Sequence, residues 1–223
     1  MSDAALERVI VREAVGEDAG RLALVSDATF LETFAGMISG DALVTHCQKR
    51  HAPAYLSGLL KGGARAWLAE LDGAPIGYAL LTAPELDAAR EGDVELKKIY
   101  LLSRFHGSGL AARLLDAALA GAAGHARLLL GVKDDNHRAI GFYTKQGFRQ
   151  IGTRRFDVGG TLYDDVVLAR DLDRIHLRGQ FRELIDARRQ RIDSGQFFDL
   201  SVQFSREPEL SQTCGLRRMF KHD

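Results

Sequence analysis

The chain has 223 residues, of which 46% are hydrophobic and 27% are charged, and its formal net charge is +0. This length exceeds one average domain without requiring two, and the apolar fraction is enough to fill a sizeable core. A balanced charge shows neither a nucleic-acid footprint nor a membrane-surface patch. We therefore expect no nucleic acid and no membrane among the partners of this protein.

Two cysteines, Cys47 and Cys214, are too few and too isolated for a disulfide framework or a zinc site, so we expect no metal. The N-terminal residues lack an apolar secretory segment, and no apolar run is long enough to span a bilayer. These features predict a cytoplasmic protein.

The first half of the chain alternates between strand and helix patterns. Asp72 and Gly73 separate two strand-like runs and indicate a hairpin turn. The periodicity predicts, in chain order, a strand at 8–14, helices at 18–34 and 41–60, and strands at 66–70 and 76–81.

The second half continues with longer apolar runs. Asn136 is a candidate helix N-cap, and Gly147 is a candidate C-terminal stop for the same helix. The pattern predicts a strand at 94–102, an alanine- and leucine-rich helix after it, a strand at 127–132, a helix from 136, and hairpin strands at 149–156 and 161–169.

A short glycine loop joins the strand at 94–102 to the helix that follows. Free backbone N–H groups and the positive end of the helix dipole favour a phosphate there, and Gly107 and Gly109 allow close backbone approach. Arg104 adds a permanent cation with a donor fork suited to phosphate. The alternative is a plain tight turn with Arg104 as an ordinary surface cation. We expect a phosphorylated ligand.

Two families use such a turn. Residues 107–112 fit the dinucleotide fingerprint G-x-G-x-x-A, which would make the chain an NAD(P)-dependent oxidoreductase with a parallel sheet. In that unit the first glycine directly ends the strand, whereas residues 103–106 intervene here. Read from Arg104, the same residues spell R-x-x-G-x-G, which resembles the acetyl-CoA pyrophosphate loop of the GNAT (GCN5-related) N-acetyltransferases.

A second motif lies at 136–148, where N-x-x-A-x-x-F-Y-x-K-x-G-F resembles the second GNAT signature. Helical spacing places Asn136, Ile140 and Tyr143 on one face. The resemblance covers 8–172 and implies an α/β fold with a mixed, mostly antiparallel central sheet flanked by helices. It also implies transfer of the acetyl group of acetyl-CoA to a primary amine of a small molecule or peptide, by direct attack in a ternary complex.

The resemblance also assigns the cofactor contacts. In this family the strand before the loop splays from its neighbour, here 128–132, and the pantetheine arm pairs with main-chain groups in the gap. The contacts carried over from the strand and loop are Ile99, Tyr100, Leu101, Arg104, Phe105, His106, Gly107, Ser108, Gly109, Leu110 and Ala111. Those carried over from the second motif are Asn136, Ala139, Phe142 and Lys145.

Tyr143 is the candidate general acid. A phenol near the sulfur can protonate the CoA thiolate as it leaves, because its pKa of about 10 is a workable match to a thiol near 8.5. The alternative is a core aromatic residue with a polar tip.

Glu95 is the candidate base and would relay the proton of the acceptor ammonium through water. Strand alternation predicts that Glu95, Lys97 and Ile99 share one face. The opposite face is then expected to carry Leu96, Lys98 and Tyr100. A salt bridge from Glu95 to Lys97, with ordered water as the base, is the alternative.

The acceptor is expected to meet the N-terminal half, at Phe30, Glu32, Thr33 and Phe34. This segment resembles the E-T-F segment of bacterial GNATs similar to the PaiA polyamine acetyltransferases. Glu32 between aromatic walls suits a cationic amine by charge and cation–π attraction. Alternatively, Phe30 and Phe34 are helix core and Glu32 is a solvated carboxylate. Polyamine, amino-acid, peptide-terminus and aminoglycoside acceptors all remain open.

The predicted GNAT domain covers 1–172, and 173–223 form a C-terminal extension. Helix-spaced apolar residues predict an amphipathic helix over 173–192, followed by an irregular arm or tail. This helix can pack on the domain or on a second subunit, so a homodimer is allowed. A catalytically inactive CoA-binding or interaction protein is an alternative function, against which Tyr143 and the intact loop argue.

Overall fold

A seven-stranded sheet runs through the part of the chain that the computed structural model describes, residues 6–158 and 161–172. Its strands are β1 (Val9–Glu13), β2 (Arg65–Leu71), β3 (Ala74–Thr82), β4 (Val94–Leu101), β5 (Arg127–Lys133), β6 (Arg149–Val158) and β7 (Thr161–Asp171). They lie in the order β1-β2-β3-β4-β5-β7-β6, and β4 and β5 alone among these neighbours are parallel. This confirms the predicted mostly antiparallel sheet and contradicts the parallel sheet that the oxidoreductase alternative required.

Helices cover both faces of the sheet. In the described residues they are α1 (Ala19–Phe34), α2 (Gly40–Arg50), α3 (Pro53–Lys61), α4 (Leu110–Gly121) and α5 (His137–Lys145). Trp67 packs in the apolar cluster of α4 and α5, and its neighbour Leu68 packs in that of α1 and α3. Because adjacent strand residues point to opposite faces, the two clusters lie on opposite sides of the sheet. None of these helices has the length and apolarity needed to span a membrane.

The single helix predicted over 41–60 is wrong, because two helices form there. Pro53 begins α3, and a proline lacks the N–H of a helix interior and holds the residue before it in extended backbone. Accordingly, Ala52 has a ψ of 137°. The break leaves His51 as the C-cap of α2, with 1% of its surface exposed.

The hairpin turn between β2 and β3 is confirmed. Asp72 has a φ of 50° and Gly73 a φ of 81°, so both lie in the left-handed region that a tight hairpin turn requires. The turn expected at Gly159 and Gly160 lies outside the described residues. So do the helix predicted over 173–192 and its tail, and the domain boundary after 172 therefore remains a prediction.

A β-bulge in β4 corrects the predicted faces of that strand. Leu80 lies opposite Lys98, but Leu81 lies opposite Leu96, so β4 carries one extra residue at Lys97. Beyond the bulge the alternation is reversed. Ile99 packs in the same cluster as Leu96. Lys98 and Tyr100 therefore share the opposite face with Glu95 and Lys97, where the sequence had placed them apart. The polar residues of β4 are thus gathered on the side of α1 and α3.

Candidate active site

An open gap separates β4 from β5. The two strands pair only at their first residues, Val94 with Leu128 and Glu95 with Leu129. β5 then stays paired with β7, while β4 stays paired with β3 as far as Leu101. The strands therefore diverge beyond Glu95, and main-chain groups along the gap have no strand partner within the described part of the chain. The splay expected between these strands is present.

The gap leads to an uncapped helix start. Gly109 is the N-cap of α4, has a φ of 81° and supplies no side-chain cap, and Gly107 has a φ of 78°. Within the described residues, the amide N–H groups of Gly107, Gly109, Leu110 and Ala111 have no acceptor. These donors lie together at the positive end of the helix dipole. The arrangement is suited to an anion such as a pyrophosphate.

The loop before α4 is anchored from both ends. Glu32 Oε2 accepts a hydrogen bond from the Ser103 N–H at 2.8 Å. Phe105 is 1% exposed and belongs to the apolar core, and its carbonyl accepts a hydrogen bond from the Ser108 hydroxyl. The exposed Arg104 guanidinium lies 4.7 Å from the centre of the Phe105 ring. The glycine loop is therefore held in position while its cation faces solvent.

His106 joins the loop to α5. Its Nε2 lies 2.9 Å from the Leu101 carbonyl, and its Nδ1 lies 3.0 Å from the Arg138 guanidinium. A neutral imidazole with its proton on Nε2 satisfies both contacts. Arg138 was not among the predicted site residues, although a cation two residues after the Asn136 cap of α5 is a usable signal. The structure brings this cation to His106, the residue before Gly107.

The second motif has its predicted capping role. Asn136 Oδ1 accepts the Ala139 N–H at 3.1 Å, which confirms Asn136 as the N-cap of α5. Ala139 and Phe142 are partly buried against the core cluster of α4, whereas Lys145 is exposed. Lys145 and the Asn136 side chain therefore lie at the surface, where a ligand can reach them.

Tyr143 lies on the inner face of α5 and is 7% exposed. Its ring contacts Phe142 and Phe148, with centroids 5.2 Å and 5.5 Å away. Burial raises the pKa of the Tyr143 phenol well above its usual value, and the nearby Tyr100 raises it further. The phenol is therefore protonated at neutral pH. Its surroundings fit the core interpretation, and its protonation fits a proton donor.

Glu95 is held in a buried ion-pair network. It is 1% exposed, its Oε2 accepts the Glu85 N–H at 2.7 Å, and its Oε1 lies 3.3 Å from Lys97 Nζ. Lys97 Nζ also lies 2.8 Å from Glu85 Oε2, and this contact lowers the pKa of Glu85. The salt bridge to Lys97 considered as the alternative for Glu95 is therefore present.

A second polar group lies beside it on the same face of β4. Lys98 Nζ is 2.7 Å from His51 Nε2, and His51 Nδ1 is 3.0 Å from Asp27 Oδ1. None of these three residues belongs to a motif in the sequence. They are far apart in the chain, and the bulge and the helix break that bring them together gave no periodic signal.

The proposed acceptor residues on α1 lie partly in the core. Phe30 is 7% exposed and packs on Phe34 at 4.5 Å and on His46 at 4.4 Å between ring centres. The Thr33 hydroxyl donates to the Thr29 carbonyl of its own helix. These contacts match the helix-core alternative for Phe30, and Glu32 contacts the start of the glycine loop before α4.

Comparisons of sequence agree with this geometry. Residues 32–148 match the Acetyltransferase (GNAT) family. An uncharacterized N-acetyltransferase of Mycobacterium tuberculosis is 37% identical over 158 residues, which cover 70% of this chain and 98% of that protein. The peptidyl-lysine N-acetyltransferase YjaB of Salmonella typhimurium is 32% identical over 101 residues, which cover 45% of this chain and 61% of that protein.

Comparison of structures gives the same fold. The crystal structure of PaiA N-acetyltransferase from Thermoplasma acidophilum, in complex with coenzyme A, superposes with a TM-score of 0.60 at 20% identity. The similarity covers 73% of this chain and 98% of that one. With the open β4–β5 gap and the uncapped α4 helix, these matches show that the chain belongs to the GNAT acetyltransferase family.

Proposed function

We propose that this protein transfers the acetyl group of acetyl-CoA to a primary amine of a small molecule or peptide, by direct attack in a ternary complex. The observation that carries the proposal is the gap between β4 and β5, which ends at the free amides of Gly107, Gly109, Leu110 and Ala111. A long ligand with an anionic end and a hydrogen-bonding arm fits this combination.

The cofactor would lie along β4 with its pyrophosphate at the start of α4. Arg104 and Arg138 supply cations beside these amides. The Leu101 carbonyl already accepts from His106, so the pantetheine arm is expected to pair chiefly with Ile99 and Tyr100. A strand advances about 3.3 Å per residue, so an extended arm brings the thioester to the bulge in β4.

At the bulge the acceptor nitrogen would attack the thioester carbonyl carbon. The C–N bond forms, the C–S bond breaks, and the thiolate takes a proton from the Tyr143 phenol. The attacking nitrogen loses its surplus proton through water, and this proton restores the phenol. Tyr143 lies on α5, and Tyr100 of β4 contributes to the raised pKa of its phenol. Because burial raises the phenol pKa, proton donation must accompany C–S cleavage, when the sulfur becomes basic.

Direct attack is favoured over an acetyl-cysteine intermediate. Cys47 lies beside Asp27 on the α2 side of the sheet, and burial raises the pKa of its thiol to about 11. A thiol that stays protonated at neutral pH is a poor nucleophile.

The sequence predicts Glu95 as the group that takes the proton of the acceptor ammonium. Both oxygens of Glu95 already accept contacts, so proton transfer to it would run through a water, as the sequence analysis expected. Glu85 and Glu95 share the single Lys97 ammonium, so the group of three side chains keeps one net negative charge that attracts an ammonium group.

Acceptor identity is best sought among amines of two kinds. YjaB is a peptidyl-lysine N-acetyltransferase by name, and the α1 segment resembles PaiA-like polyamine acetyltransferases. Both acceptors are primary alkyl amines. We therefore propose a lysine side chain or a polyamine as the first acceptors to test.

The test is turnover of the full chain with acetyl-CoA and an amine panel of lysine peptides, spermidine and free amino acids, read by CoA thiol release and product mass. Acetylated product from one amine class supports the proposal. Stabilisation by acetyl-CoA in thermal unfolding without any product would instead support the CoA-binding alternative. Stabilisation by NAD(P)H alone would contradict both.

A further inference from the structure

A chain of three polar side chains leads away from the bulge in β4. Lys98 Nζ contacts His51 Nε2 at 2.7 Å, and His51 Nδ1 contacts Asp27 Oδ1 at 3.0 Å. His51 is 1% exposed, whereas the Asp27 side chain is 44% exposed. Among the contacts of residues 6–158 and 161–172, none of Tyr143 or of Glu95 involves these residues. A buried polar chain of this kind is costly unless each member is satisfied.

The contacts fix the protonation of the imidazole. The Asp27 carboxylate can only accept, so the ring proton of His51 sits on Nδ1, and His51 Nε2 accepts from the Lys98 amino group in either of its protonation states. That N–H then donates to the Asp27 carboxylate. Burial, with Lys98 as the next cause, lowers the pKa of His51 to about 4, so the ring is neutral at neutral pH. His51 therefore holds the Lys98 amino group in one orientation.

This protonation also argues against a metal in the same place. Ligand atoms of Asp27, Cys47 and His51 lie within 4.8 Å of one another and are of types that bind metal ions. In the tautomer above, however, His51 Nδ1 carries a proton and its Nε2 lone pair points at Lys98. A metal would have to displace the Nδ1 proton and leave two donors facing each other at Nε2. The arrangement suits a lysine rather than an ion.

The bulge in β4 determines the position of Lys98. The extra residue at Lys97 places Lys98 on the same face as Glu95, beside the point where β4 leaves β5. We propose that Lys98, in its neutral form, takes the proton from the acceptor ammonium, and that His51, held by Asp27, positions its amino group. The inference rests on the proposed acetyl transfer and replaces Glu95 as the base.

The surroundings of Lys98 favour its neutral form. Burial lowers the pKa of Lys98 to about 8, and positive charge from Arg50 and Lys97 acts in the same direction. At pH 7 about one molecule in ten then carries the free amine. The charged or titratable groups around it are Asp27 on α1, His46, Cys47 and Arg50 on α2, His51 after α2, and Lys97 and Glu95 on β4.

The proton balance is simple. The acceptor ammonium gives one proton to the Lys98 amine, and the resulting free amine attacks the thioester carbonyl. The nitrogen of the adduct then loses a second proton as the C–S bond breaks, and this proton restores the Tyr143 phenol that protonated the thiolate. Lys98 becomes an ammonium, and the proton passes to solvent after the acetylated product leaves. Glu95 takes no part in this proton transfer and stays paired with Lys97. His51 keeps its neutral tautomer, so no proton needs to cross the imidazole.

The decisive variant is Lys98→Arg, which keeps the positive charge and can still donate to His51 but does not lose a proton. In the parent protein the plot of kcat against pH should have a rising limb with an apparent pKa near 8. Lys98→Arg should lower kcat by about a hundredfold to ten-thousandfold and remove that limb, with acetyl-CoA binding by thermal shift unchanged. Lys61→Arg, an exposed lysine at the end of α3, is the matched control and should keep both rate and limb.

A second variant tests the positioning residues. The Asp27 carboxylate is one of the charges that raise the pKa of Lys98, so Asp27→Asn should move the limb to lower pH and lower the plateau of kcat. A Lys98→Arg enzyme that keeps its limb, or a Glu95→Gln enzyme that loses it, would overturn the proposal. So would stabilisation of the parent by zinc that is lost in Cys47→Ser. If the parent binds acetyl-CoA but acetylates no amine, the proposed function itself fails.

Discussion

The Glu32 carboxylate on α1 accepts a hydrogen bond from the backbone N–H of Ser103, 2.8 Å away, where the glycine loop before α4 begins. The two residues are 71 positions apart in the chain, so this contact ties the helix proposed to meet the acceptor to the loop proposed to hold the cofactor. An acceptor amine would have to compete with a backbone amide for the same oxygen. We infer that Glu32 shapes the acetyl-CoA site more than the acceptor site.

Glu32→Ala is therefore expected to raise KM for acetyl-CoA and to leave KM for the amine unchanged. A lost hydrogen bond to an exposed carboxylate is worth about 1 kcal/mol, which corresponds to a change of about fivefold. Steady-state kinetics with each substrate varied in turn would measure both constants. Glu17→Ala, at an exposed glutamate before α1, is the control. A selective rise in the amine KM would restore the acceptor role predicted from the sequence.

Tyr143→Phe should lower kcat by about tenfold to a thousandfold, because it removes the phenol proton and keeps the packing of the ring against Phe142 and Phe148. Affinity for acetyl-CoA should change little. The phenol pKa is raised by burial, so Tyr143 should stay protonated throughout the usual assay range and add no falling limb below pH 10. Tyr55→Phe on α3 is the control. An unchanged rate in Tyr143→Phe would leave the residue with its core role alone.

Gly107→Val should abolish stabilisation by acetyl-CoA while the protein still folds. Gly107 has a φ of 78°, which a β-branched residue avoids, but an added Cβ would meet no atom within 4 Å. The cost is therefore backbone strain of about 1–3 kcal/mol and a displaced loop. Thermal unfolding with and without acetyl-CoA measures both effects.

Gly124→Val is a matched control for this loop variant. Gly124 also has a positive φ, 94°, with no atom within 4 Å of an added Cβ, and it follows α4 at the far end from the loop. Both variants should lose similar stability, and only Gly107→Val should lose the acetyl-CoA shift. Equal acetyl-CoA-induced shifts in melting temperature in the two variants would mean that Gly107 has only a conformational role.

Local features were predictable from the sequence because a few neighbouring residues determine them. The left-handed turn at Asp72 and Gly73, the Asn136 cap and the glycine loop before α4 each depend on the backbone freedom or side-chain reach of residues close in the chain. The helix break was also readable in principle, because Pro53 stands inside the run predicted as one helix.

The polar cluster on β4 was not predictable in this way. A bulge is a mismatch between two strands, so the extra residue at Lys97 is visible only once β3 lies beside β4. Simple alternation therefore put Lys98 on the wrong face. His51 contacts Lys98, and Asp27 contacts His51, each from another element. No spacing within one segment encodes these contacts.

Acid stability should depend on a network at the other end of the sheet, where Arg12 contacts Asp18 at 2.7 Å and Glu70 at 2.8 Å. The hydrogen bonds from Arg12 lower the pKa of Asp18 to about 2, below the ordinary value of 3.8. A depressed carboxyl pKa contributes stability that is present above 3.8 and is lost as the pH falls toward 2. Asp18→Asn should therefore lower the free energy of unfolding by about 2 kcal/mol at pH 7, and this difference from the parent should shrink to near zero as the pH approaches 2. Denaturant unfolding across that range would measure this difference.

Asp164→Asn, in an exposed pair with Arg155, is the control and should change stability by less than about 1 kcal/mol at pH 2 and at pH 7. A difference for Asp18→Asn that did not vary with pH would assign the loss to packing instead of to the ion pair.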